Sequence, residues 1–94
     1  MAEYERVTAI GVREVLSLAE EILPERIPLE TTARDRNSIT MKGRDGTVTI
    51  RAHRTGFETV VHAETDQVRT SRIDIETQYL LNKLPYQPGD QPQR

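Results

Sequence analysis

The stretch Thr47–Asp66, TVTIRAHRTGFETVVHAETD, decides the fold, because apolar and polar residues alternate on both sides of a Thr-Gly pair. A period of two marks a strand that buries one face. With Thr55-Gly56 as a two-residue loop, Arg54 faces Phe57, His53 faces Glu58 and His62 faces Thr49. Val48, Ile50 and Ala52 then share a face with Phe57, Thr59, Val61 and Ala63, while Thr47, Thr49, Arg51 and His53 share the other with Glu58, Val60, His62 and Glu64. One face is apolar and the other polar, so the pairing is self-consistent.

Working outward, SITMK at 38–42 joins through Asp45-Gly46, read as a type I′ turn, and Met41 faces Ile50. The result is a three-stranded antiparallel meander. Its third strand, FETVVHAET, is predicted to leave an open edge that carries neither Pro nor Lys and so invites another strand to dock.

Helices flank the meander. Thr8 caps a helix whose apolar positions Val12, Val15, Leu16, Ala19, Ile22 and Leu23 fall on one face, and Pro24 stops it. Residues 24–37, PERIPLETTARDRN, have no sustained period and read as a loop, with Ile27 and Leu29 covering the core edge. The segment TSRIDIETQYLLNKL reads as a second helix with Ser71 and Asp74 as a capping pair and Pro85 beyond its end. Alternation of Ile73 and Ile75 with charged neighbours leaves a short strand at 72–76 as the alternative.

The expected fold is therefore α+β in α-β-β-β-α order, with both helices on one face of the sheet. Residues 1–85 form a single domain, and the Pro- and Gln-rich 86–94 form a disordered tail. The same element order occurs in double-stranded RNA-binding domains, but the second helix begins with Arg69 and Arg72 among acids and lacks their lysine cluster, so the order assigns no family.

Composition removes several functions. The chain has no cysteine, which excludes disulfides, thiolate chemistry and cysteine-based zinc sites. No apolar run approaches the roughly 18 residues of a membrane span, and MAEYERV does not read as a secretory signal. A soluble cytoplasmic protein with no membrane partner is expected. The net charge of −2 conceals a basic segment, residues 34–54, in which Arg34, Arg36, Lys42, Arg44, Arg51 and Arg54 face only Asp35 and Asp45. Such a segment suits an anionic partner, nucleic acid among them. The polar face offers no aromatic ring on which bases could stack, so only recognition of phosphates remains open to it.

The histidines suggest metal or acid–base chemistry. The predicted register sets His53 and His62 roughly 13 Å apart, too far to share one ion, so no metal and no cofactor is expected. A His–Glu pair on an open sheet is more often a surface pair than a catalytic one, since catalysis also needs a pocket. The favoured reading is a small non-catalytic binding or accessory protein acting as a homodimer or with a larger protein partner. Its candidate binding residues are Arg34, Arg36, Lys42, Arg44, Arg51, His53 and His62. The alternatives are a nucleic-acid-associated protein using residues 34–54 and a small acid–base enzyme using His53 or His62.

Overall fold

The computed structural model describes residues 2–85. It contains strands β1 (Ala2–Thr8), β2 (Glu30–Arg34), β3 (Ser38–Gly43), β4 (Gly46–Thr55) and β5 (Glu58–Thr65), and helices α1 (Val12–Arg26) and α2 (Arg72–Lys83). The strands form one antiparallel sheet in the order β1-β5-β4-β3-β2. Helix α1 lies over β3 and β4, α2 lies over β1, β5 and β4, and the two helices touch. The α+β class holds, and the expected meander is the centre of a larger sheet. The predicted tail, 86–94, lies outside the described residues.

The core forms between the helices and one face of the sheet. Val15, Leu16, Ala19 and Leu23 from α1 and Ile73, Leu80 and Leu81 from α2 meet Ile39, Met41, Val48, Ile50, Ala52, Val61 and Ala63, all buried. Each fully buried large aliphatic side chain stabilises by about 1.5 to 3 kcal/mol. The predicted apolar set is thus the core, apart from Phe57, which is 91% exposed at the β4–β5 turn. Ile27 is buried and Leu29 packs against the core edge, as expected.

Two strands were not expected. Residues 2–8, where the sequence predicts only a helix cap at Thr8, are β1, paired with Thr59–Thr65 of β5. The edge predicted to be open is therefore occupied, and β1 and β2 are the edge strands. Thr8 ends β1 and donates from Oγ1 to the Pro85 carbonyl, while Gly11 takes the cap position of α1. Helix α1 also runs through Pro24 to Arg26. A proline in the last turn forfeits one hydrogen bond, and the Ile27 N–H closes that turn on the Leu23 carbonyl. Residues 30–34, read as part of a loop, are β2, which pairs with β3 across a register shift between Thr31 and Ala33.

Both hairpins are slipped by two residues from the predicted register. Among the described residues none but glycine has positive φ, so Asp45 cannot enter a type I′ turn, and Arg44 and Asp45 form the loop between Gly43 and Gly46. Ile39 faces Ile50, and Met41 faces Val48. At the second hairpin Gly56, at φ 65°, takes the first loop position, where a type II′ turn demands a positive value, and Thr55 faces Glu58. A slip of two preserves which face each residue occupies but changes every cross-strand partner.

Residues 72–76 belong to α2. Ser71 is its cap, with Oγ accepting from the Asp74 N–H, as the capping pair predicts. No helix among the described residues is long and apolar enough to cross a membrane.

Candidate functional site

Because both helices cover one face, the other face of the sheet is open. The strand registers fix its rows: Glu5, His62, Arg51 and Ser38 lie side by side across β1, β5, β4 and β3, and Val7, Val60 and His53 form the next row. Arg51, His53 and His62 are exposed, while Val7 and Val60 are half-buried. Val60, an aliphatic residue on the polar face, lies beside Val7 of the neighbouring strand β1.

The register slip overturns the predicted separation of the histidines. His62 faces Arg51 and His53 faces Val60, so the imidazoles are diagonal neighbours, stacked with centroids 5.9 Å apart and planes 15° from parallel. In-plane lone pairs of parallel rings do not converge on one point, and no group of three or more metal-ligating side chains occurs among the described residues. His53 does not face Glu58. The carboxylate beside an imidazole is Glu5, whose Oε2 lies 3.8 Å from His62 Nε2, a distance beyond hydrogen bonding, with both groups about half exposed.

The basic segment does not form one patch. Arg34 turns to the helix layer and pairs with Glu20 of α1, and Arg54 turns the same way and donates to Thr59 Oγ1. Arg44 sits in the β3–β4 turn, and Lys42 is exposed on β3 facing Thr47. Arg36 and Arg51 do come together. They line a hollow of about 430 Å³ with Asp35, Asn37, Ser38, Ala52 and His53, where the β2–β3 turn passes beside β4.

The turn is built by Asp35. Its Oδ1 accepts from the Asn37 N–H at 2.9 Å, the Ser38 N–H at 3.0 Å and the Ser38 hydroxyl at 3.1 Å. The Asn37 N–H, the Ser38 hydroxyl, the Ser38 N–H and the nearby charge of Arg51 hold the Asp35 carboxyl below its ordinary range. Asn37 ties the turn to β4, its carbonyl accepting from the Ala52 N–H and its Nδ2 donating to the Ala52 carbonyl. Arg36 and Arg51 make no ion pair among the described residues, although the charges of Arg51 and Asp35 act on each other. Asp35, Asn37 and Ser38 were missed from the sequence, although Asp two residues before Asn is the signal of such a turn.

The sequence matches no family model, and no curated protein is significantly similar to it.

Proposed function

We propose that this chain is a small non-catalytic binding or accessory protein whose working surface is the open sheet face, and that the Arg36–Arg51–His53 hollow takes an anionic oxygen group, a phosphate or a carboxylate. The observation that carries this reading is that Arg36 and Arg51, which make no ion pair among the described residues, stand beside an exposed imidazole where a turn held by Asp35 and Asn37 meets β4. Guanidinium presents paired donors that match carboxylate and phosphate oxygens, and a fixed backbone lowers the cost of ordering the site. An open hollow suits capture and release, whereas acid–base chemistry at His53 or His62 would gain from an enclosure that excludes water.

A nucleic-acid partner is the less supported reading. Glu3, Glu5, Glu58 and Glu64 stand on the same open face, and Arg34 and Arg54 turn away from it.

The test is an NMR titration with inorganic phosphate, pyrophosphate and acetate, following the Arg36 and Arg51 side chains and the Asn37 and Ser38 amides. Saturable shifts confined to that cluster, abolished by Arg51→Ala, support the site. Weak, linear shifts spread over every exposed arginine and lysine would remove it.

A further inference from the structure

We infer that the β1 edge is a docking surface for a second copy of this chain, paired antiparallel about a twofold axis at Glu5. The backbone itself is the first ground. The Asp66 N–H donates to the Thr47 carbonyl on the β4 side, and the Ala52 N–H donates to Asn37 on the β3 side. Because N–H groups alternate along a strand, Thr59, Val61, Ala63 and Thr65 turn theirs toward β1 and bond Thr8, Arg6, Tyr4 and Ala2. Glu3, Glu5 and Val7 therefore aim their N–H and C=O groups off the sheet. These are the groups that a second antiparallel strand satisfies.

The two edges of the sheet are not equivalent. β1 is seven residues long, pairs without a break and contains neither Pro nor Lys. β2 has five residues and a register shift that bends its ladder. An aligned twofold pairing of β1 sets Glu5 against Glu5 and each Glu3 against Val7 of the second copy, so every outward backbone group of Glu3, Glu5 and Val7 finds a partner.

The side chains around β1 support the same occupant. On the helix side the pairing sets Arg6 against Tyr4 of the second copy. Among the described residues Val68 and Ile75 are exposed large apolar side chains on the α2 side of this edge or next to it in sequence. Ile75 shares a stripe of α2 with Gln78, which bonds Tyr4, and Asn82, which bonds Arg6, while Val68 adjoins Arg69, which lies over the Tyr4 ring. A second copy would bring the two α2 stripes together beneath a continuous sheet. The Glu5–Glu5 contact opposes association, since like charges directly opposite destabilise a strand pair.

Sedimentation of the wild type at about 10 and about 300 µM, a range that spans weak to firm self-association, should show a shift from monomer toward dimer. Over the same range, exchange of the Glu3, Glu5 and Val7 amides should slow. The absence of native cysteine makes cross-linking specific: Glu5→Cys should form a disulfide-linked dimer under mild oxidation, and Thr31→Cys on β2 should not. Ile75→Lys, on the exposed side of α2, should weaken association about tenfold while circular dichroism stays unchanged. A monomer at the highest concentration overturns the inference. Amide protection independent of concentration would assign the edge to the same chain, and a dimer unaffected by Ile75→Lys that Glu5→Cys fails to cross-link would place the interface elsewhere.

Discussion

The Tyr4 hydroxyl donates to Asp74 Oδ2 at 2.7 Å, joining β1 to the first turn of α2 across most of the chain. Asp74 is fully buried and also accepts from the Thr65 and Ser71 hydroxyls. Asp74→Ala leaves three donors without their acceptor and should cost about 3 kcal/mol, whereas Tyr4→Phe should cost about 1 kcal/mol. Urea denaturation of both variants measures the difference.

Burial, the hydrogen bond to Asp74 and the charge of that carboxylate hold the Tyr4 hydroxyl above the ordinary tyrosine value. The unfolded chain therefore loses this proton at lower pH than the folded one. Its contribution to stability is complete below the unfolded value of about 10 and is lost as pH rises through the folded value. Absorbance titration should show a late tyrosine ionisation that Tyr4→Phe removes.

Gly46 enters β4 at φ 132°, and a Cβ there would lie 2.7 Å from Asp66 Oδ1 and from Gln67 Cγ. Gly46→Ala should destabilise by about 2 kcal/mol or more, through strain and through the displaced bond from the Thr47 N–H to Asp66 Oδ1. Thermal melting checks it, with Gly56→Ala as the comparison, where φ is positive but no atom lies in the way.

Glu76, almost buried, accepts from Arg26 Nε at 2.7 Å and lies 3.5 Å from Arg72 Nε. Arg26→Ala should destabilise more than Glu76→Gln, because it leaves a buried carboxylate with the weaker partner while the amide keeps a hydrogen-bond acceptor. A double-mutant cycle separates the pair from the packing of the Arg26 guanidinium on Tyr79.

Only Arg36, Lys42 and Arg51 of the basic segment belong to the open face or its rim. Any duplex binding there should show a log–log salt slope of about −3 or shallower. Fluorescence anisotropy from low to physiological salt measures it, and a much steeper slope would mean that residues outside this face engage the phosphates.

What the sequence determined by itself is the division into two faces. The alternation in 38–65 placed Ile39, Met41, Val48, Ile50, Ala52, Val61 and Ala63 in the core and Arg51, His53 and His62 outside, because face depends on parity, and parity survives a slip of two residues. The periodicity of Val15, Leu16, Ala19 and Leu23 and the Ser71 cap likewise made both helices legible. Tertiary structure alone decided the remainder. β1 carries Arg6 and Thr8 at inward positions and so lacks an apolar signature; distant partners, Asn82 and Pro85, make those positions satisfiable. β2 buries none of its residues, and its ladder with β3 is what defines it as a strand. The stacking of His53 on His62 and the meeting of Arg36 with Arg51 depend on loop geometry at Gly56 and Asp35. Local alternation is blind to that geometry, because two registers two residues apart bury the same side chains and differ only in which neighbours they bring together.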